Sequence, residues 1–599
     1  MPSGSGACSQ SARCVEDGAA LLGVGTTRAM ERVAAALGEL DRAPLHFLSV
    51  DDVQNGGVLC ALPALLAMGL LRHAVSHFSL PKGFYPMESI FVLLAFLALG
   101  RVPSLEQLRY QSPGEWGKLL GLDRIPEVKT LREKLGLLGD DAERTARWSS
   151  QLAQDWMERD VTAAGVLLID GHTRVYHGEL TPLPRRYVSR ERLCLRGTTD
   201  YWVNALDGAP FFCVTCAIDP GLQKTLEENI VPRLLTDVPG QPAEAALEAD
   251  PLLHRFTLVF DREGYSPPLF ARLEAQRIAI LCYHKFPGAD WPASEFSEQK
   301  ITIQNGERVT ILLAERGTQL SNQLSNQHWV REVRRLDGKG HQTSILSTDY
   351  RSELSKQAAA MFARWSQENF FKYMREHYGL DRLVEHGTSP LPEATRLVNP
   401  AWRTLDTQVR KTAAELSRDR AKFSAHILAP EQNDPAKAAT HELKKGNALA
   451  QIQAQQTRLA ELKAQRKTHP KHIELRNLPP EQKVAQLKAG RKQFIDTIKL
   501  IAYRSESALV QVVREKLTRS DDARSLIRGL MQTSVNLRPD YERKELHIEL
   551  HGQTNPMHDA VVHHLCEELN ATETHYPGTD LRLIYTTLRP SPFHAGQDV

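Results

Sequence analysis

The spacing of apolar positions changes twice along the chain. Before residue 160 they recur at helical intervals or in compact runs, so Ala29–Leu40, Val58–Leu71 and Met87–Leu99 read as helices. The run Val58–Leu71 contains Pro63 and falls short of the ~20 residues that span a bilayer, which makes it a buried helix. Two shorter helices, Gly114–Leu120 and Val128–Leu137, flank the linker GLDRIPE. The second carries Lys129, Thr130, Arg132 and Lys134, so the pair suits a DNA-reading helix-turn-helix. Helical domains also contain such pairs for packing alone.

From Ala163 the pattern becomes short apolar stretches bounded by turn residues. A first strand runs to Asp170, a more polar one covers Tyr187–Leu195, and Phe211–Ile218 is a third. Helix Gly221–Leu235, strand Phe256–Phe260, helix Pro267–Gln276 and strand Ile278–Tyr283 follow. Three sequential strands form an antiparallel meander, whereas strand–helix–strand units require parallel pairing. The expected product is an α/β domain with a mixed five-stranded sheet. A β-rich block at about 290–350, with turns at Asn305-Gly306 and Gly338-Lys339-Gly340, interrupts it before a helix over Ser352–Tyr378.

Beyond Pro400 the pattern is helical again. Leu449, Ile452, Leu459 and Leu462 make a short seam, suited to a hairpin more than to pairing between chains. Helix Phe494–Leu517 follows, and Leu537–Leu550 with Leu581–Leu588 suggests a small α+β end piece. The implied division is a disordered tail (1–28), a helical domain (29–160), the α/β domain (161–390), a basic helical region (391–530) and the end piece (531–599).

Composition adds little until it is mapped onto this order. At 599 residues the chain is too long for one core. Its net charge of +2 conceals an uneven distribution: residues 401–500 hold 20 Lys/Arg against 10 Asp/Glu. A basic segment on an acidic body fits a polyanionic partner or a solvated arm. Eight cysteines without framework spacing suit a reducing, cytoplasmic setting, and Cys213 and Cys216 fall in a strand where they face opposite sides. The Ser/Gly-rich start lacks an apolar signal core, and no run is long enough for a membrane span.

The chemistry sits at strand ends. Phe256–Phe260 stops abruptly at Asp261-Arg262-Glu263-Gly264, and the first strand delivers Asp170 in the same way. Open α/β sheets place acidic ligands beside a cleft by this means. Glu368, on the helix after the last strand, is a third carboxylate, flanked by Arg364 and Arg375 on its own face. Three hard oxygen ligands suit Mg²⁺ or Mn²⁺. Two such ions about 3.5–4 Å apart drive in-line phosphoryl displacement without a covalent nucleophile.

The segment order, the three acids and the β insertion resemble a DDE transposase of a bacterial insertion sequence over about residues 160–385. Asp261-Arg262-Glu263-Gly264 is similar to the Asp-Arg-Glu box of that group. Arg364 and Glu368 match the Arg and Glu of its Tyr-x2-Arg-x3-Glu-x6-Lys signature, while Met361 and Arg375 stand at the Tyr and Lys positions. The resemblance implies a ribonuclease-H-like catalytic core in which Asp170, Asp261 and Glu368 hold two Mg²⁺ (or Mn²⁺) ions. It also implies cutting of element ends and joining of the 3′-hydroxyl to target DNA, in a homodimer that synapses two ends and associates with the nucleoid. Arg262, Lys285, Arg364 and Arg375 would contact DNA phosphates, with Lys129 and Arg132 as N-terminal contacts. A metal-dependent nuclease of the same fold and a non-catalytic DNA-binding derivative remain alternatives. His172 is expected as a turn histidine and Trp365 as a core residue.

Overall fold

A computed structural model describes residues 28–178, 183, 185–188, 191, 193–216, 221–302, 308–320, 328–382, 388–427, 435–552 and 555–588. The expected tail, Arg28 apart, and the Asn305-Gly306 turn lie outside these residues. The chain divides into two compact units, the smaller built on Thr388–Gln486 and the larger on the segments before and after it. Among the described residues no helix is long and apolar enough to cross a membrane.

The larger unit is mixed α/β. Its main sheet contains β1 (Val166–Val175), β2 (Leu193–Ala205), β3 (Pro210–Cys216), β4 (Thr257–Phe260) and β5 (Ala279–Tyr283), side by side in the order β3-β2-β1-β4-β5. Neighbours β1, β2 and β3 pair antiparallel, while β1, β4 and β5 run parallel. Every residue of β4 is buried, as expected of a parallel strand covered on both faces. The β-rich block does not interrupt the sheet but widens it. Strands β6 (Ser297–Thr302), β7 (Arg308–Leu320), β8 (His328–Leu336) and β9 (Gln342–Ser347) form an antiparallel meander, and β9 pairs with the free edge of β5. Pairing satisfies backbone groups that β5 would otherwise leave open.

Helices α1 (Met87–Leu99), α2 (Val128–Gly139) and α3 (Ala142–Arg159) precede the sheet. Nearly all of α1 is buried, which explains why it is apolar all round. The run from Val58 is split. A 3₁₀ turn at Gly56–Ala61 leads into a helix over Leu62–Ala67, with Pro63 in its first turn, where a missing N–H costs nothing. After β9 the expected single helix is two, α4 (Leu354–Phe362) and α5 (Arg364–Tyr378), broken at Ala363. The Ser366 hydroxyl lies 2.6 Å from the Ala363 carbonyl and 2.8 Å from that of Leu206, so it holds the break against the β2–β3 turn.

In the smaller unit, α6 (Pro400–Ile427) and α7 (Pro435–Thr468) form an antiparallel hairpin. Gln451 and Gln455 on α7 reach Asp419 on α6, and Arg466 on α7 reaches Asp406. Buried Val409, Leu416, Ile452 and Leu462 close its seam. Helix α8 (Gly490–Arg514) returns to the larger unit and is buried along most of its length. Its Phe494 meets Phe78, Phe91 and Trp148 at 5.2–5.5 Å, so this helix shares one aromatic core with α1 and α3. The end piece is a four-stranded sheet of Val535–Asp540, Glu545–Leu550 and Arg582–Thr587, completed by Val50–Val53 from the other end of the chain.

Candidate active site

Register brings the chemistry together. Ile169 of β1 faces Phe260 of β4, and Phe260 faces Cys282 of β5. The next residues, Asp170, Asp261 and Tyr283, therefore make a row across three neighbouring strands, which lie about 4.8 Å apart. Asp170 is not at the end of its strand. Antiparallel pairing with β2 carries β1 on to Val175, and Asp170 sits where β4 stops. That is the crevice beyond the carboxyl ends of parallel strands, where ligands of open sheets bind.

Each aspartate is held. Asp261 accepts the Glu263 N–H at 2.8 Å, which caps a 3₁₀ turn over Arg262–Gly264. Asp170 accepts the Gly171 N–H at 2.8 Å and faces the Arg364 guanidinium at 3.3 Å, with 22% of its side chain exposed. Burial pushes the Asp170 carboxyl up to about 6. Arg364 opposes this, and the negative charges of Asp261 and Glu263 add to it. The row thus carries negative charge that one arginine does not fully balance.

The expected third acid, Glu368, is on α5. Glu368 lies one turn beyond Arg364, is exposed, and its charge acts on Tyr283, whose phenol is raised first by burial. The helix is fixed by its buried face. The Gln367 amide donates to Asn204 Oδ1 at 2.9 Å and to the carbonyls of Trp202 at 3.2 Å and Leu168 at 3.4 Å. Gly208 is required at the turn below, because a Cβ there would stand 2.9 Å from the Ser366 carbonyl oxygen, on a backbone already at φ +87°. Farther along α5, Tyr373 and Tyr378 both donate to buried Glu506 of α8, which also pairs with Arg101 at 2.9 Å.

Asp170, Asp261 and Arg364 meet in one place, with Arg262 beside Tyr283, its guanidinium 5.8 Å from the ring centroid. Lys285 and Arg375 are exposed, as is Lys129 on α2. Arg132 is ion-paired with Glu106, an interaction between separate elements that helix periodicity does not report. Two further expectations are corrected. His172 is a buried strand residue, 2.6 Å from Asp381 and stacked on Phe371, because β1 continues past Asp170. Trp365 is 68% exposed, because the break at Ala363 re-aims the first turn of α5. Its ring borders a cavity of about 770 Å³ at the opposite, amino-terminal end of β1 and β4, lined also by Gly165, Val166, Thr257 and Gln357.

The donors fit a hard divalent cation: two carboxylates side by side in register, one of them with its charged form destabilised first by burial and then by its neighbour's charge. Among the described residues, however, no three His, Cys, Asp or Glu side chains stand close enough to form a ready cage. Sequence reading missed Gln367 and Tyr283. Gln367 is a polar residue on the apolar side of a helix, a detectable signal, whereas Tyr283 reads as any strand tyrosine until the register is known.

A family model described as a transposase protein matches residues 23–589, nearly the whole chain. Comparison with curated proteins finds no match.

Proposed function

The chain belongs to this transposase family, and from that premise we propose that it is a DDE transposase with a ribonuclease-H-like catalytic core, of the insertion-sequence type. The reading is carried by one observation: Asp170 and Asp261 each follow a residue of the register pair Ile169–Phe260 where β4 ends, and Arg364, on the helix that also bears Glu368, reaches Asp170. The strand order β3-β2-β1-β4-β5, antiparallel on one side and parallel on the other, supports the same fold.

Asp170, Asp261 and Glu368 would hold Mg²⁺ (or Mn²⁺). When bound, the metal would activate water or a 3′-hydroxyl and stabilise the leaving oxygen. Asp170 must be ionised for that role; burial pushes its carboxyl up to about 6, and Arg364 acts in the opposite direction, towards the carboxylate. Arg364, which pairs with Asp170, would also offer its fork of donors to a DNA phosphate. Arg262, Lys285 and Arg375 would supply further phosphate contacts. The α6–α7 hairpin and the N-terminal helices would grip element DNA, in a homodimer that synapses two ends.

The test uses the full chain and a supercoiled plasmid carrying the DNA that flanks the gene. Mg²⁺-dependent nicking, followed by joining of the 3′ end to a second duplex, is expected. Asp170→Asn and Asp261→Asn should each abolish nicking while leaving DNA binding intact. Nicking without joining would identify a nuclease. Binding with no cleavage in any divalent metal would sink the catalytic reading.

A further inference from the structure

We propose that Tyr283 belongs to the substrate-binding machinery of this site, its phenol hydroxyl donating to a non-bridging oxygen of the phosphate that is cut; the assignment rests on the phosphoryl-transfer reading above.

Tyr283 is the residue after Cys282, as Asp261 follows Phe260 and Asp170 follows Ile169, so the three occupy one row. Partners in register on neighbouring parallel strands point to the same face, and successive residues alternate. Cys282, one position earlier, is fully buried and its thiol donates to the Asp261 carbonyl at 3.3 Å. Tyr283 is half-buried, at the rim of the small core formed by Leu168, Val259, Leu281, Ile345 and Met361.

Its neighbours are the charged groups of the site. The Arg262 and Arg364 guanidiniums lie 5.8 and 5.9 Å from the ring centroid. Two cations against one ring hold it in place by attraction to the π-face and bring two phosphate-binding groups beside the phenol. Arg364 also contacts Asp170, and Glu368 acts electrostatically on the phenol. Tyr283 thus stands beside two of the cations expected to contact the reacting phosphate, Arg262 and Arg364. The phenol stays protonated at neutral pH, because burial raises it further. It can donate to an anionic oxygen where a third carboxylate would repel it. Such a donor is worth most if its bond tightens as negative charge builds on the phosphate during displacement.

The test compares wild type, Tyr283→Phe and Asp261→Asn as full chains, on the same supercoiled plasmid with Mg²⁺. Phe keeps the ring and its contacts with both arginines and removes only the hydroxyl. Tyr283→Phe should melt with wild type, yet nick at least tenfold more slowly in single turnover at saturating DNA. A second readout separates contact from architecture. Sulfur in place of one non-bridging oxygen at the cut phosphate should slow wild type, and that penalty should shrink in Tyr283→Phe. If wild type nicks, Asp261→Asn is dead and Tyr283→Phe matches wild type, the assignment is wrong while the catalytic reading stands. If wild type does not nick with any divalent metal, both fall together.

Discussion

Replacing Gln367 with leucine tests how Glu368 and Arg364 are positioned. Gln367 is 1% exposed, and one side-chain amide joins α5 to Asn204, Trp202 and Leu168. Trp202 is the cross-strand partner of Asp170, so this amide ties the turn between Arg364 and Glu368 to the acidic row itself. Leucine has nearly the same volume, and the cavity contribution is therefore small. The main cost is the stranding of Asn204 Oδ1 in a fully buried place, about 1–3 kcal/mol. Gln367 Oε1 is itself buried without a partner, and leucine removes that penalty, so the net loss should stay near the lower end. The melting temperature should fall by a few degrees. Nicking should fall far more, about 100-fold, because a shift of roughly 1 Å in a positioned group costs that much. Thermal unfolding and single-turnover nicking on the same preparation measure the two effects. Nicking within twofold of wild type, in a protein as stable as wild type, would refute the role of Gln367 as the anchor of α5.

Three other outcomes are expected. Asp170 has its carboxyl raised to about 6 from 3.8, so the neutral form is favoured in the fold and its ionisation costs stability as pH climbs from 3.8 to 6. Mn²⁺ affinity of the full chain, followed between pH 4.5 and 8, should therefore rise about tenfold per unit up to about 6 and then level; a flat profile would contradict proton competition at Asp170. Lys499, 5% exposed on α8, is pushed down to about 7 from 10.5 by burial and by Lys492. The unfolded chain then binds more protons between pH 7 and 10.5, so stability rises with pH across that window and the penalty is full below 7. Lys499→Met should stabilise the protein by a few kcal/mol at pH 6 and progressively less towards pH 10, read by urea unfolding. On the hairpin, exchanging exposed Arg418, Arg420 and Lys463 for alanine should weaken binding to all duplexes alike. The slope of log affinity against log salt should fall by up to about 0.9 per lost contact, and an unchanged slope would remove the hairpin from the DNA interface.

Much of the local structure was legible because burial and periodicity are local properties. A strand such as Thr257–Phe260, buried on both faces, must be short and apolar, and its end is marked by the Asp261 cap and buried Gly264. The same reasoning put Asp170 on a strand and Arg364 and Glu368 on a helix. It also anticipated that the leucine-rich seam closes as a hairpin, because a seam of two or three heptads buries little surface between chains. Where it erred, the missing information lay in a partner distant along the chain. Strand β1 runs past Asp170 because β2 pairs with it as far as Val175. The helix after β9 breaks because Ser366 meets the Leu206 carbonyl, and Arg132 is engaged because Glu106 stands opposite.

By itself, then, the sequence determined most of the strands and helices, which faces are apolar, and which of these elements carry Asp170, Asp261 and Glu368. Tertiary structure alone decided that Asp170, Asp261 and Tyr283 share a row, that the β-rich block extends the sheet, and that α8 shares a core with α1 and α3. The physical reason is range. Propensity and periodicity act over a few residues, whereas register, sheet order and ion pairing are chosen by contacts between segments up to several hundred residues apart.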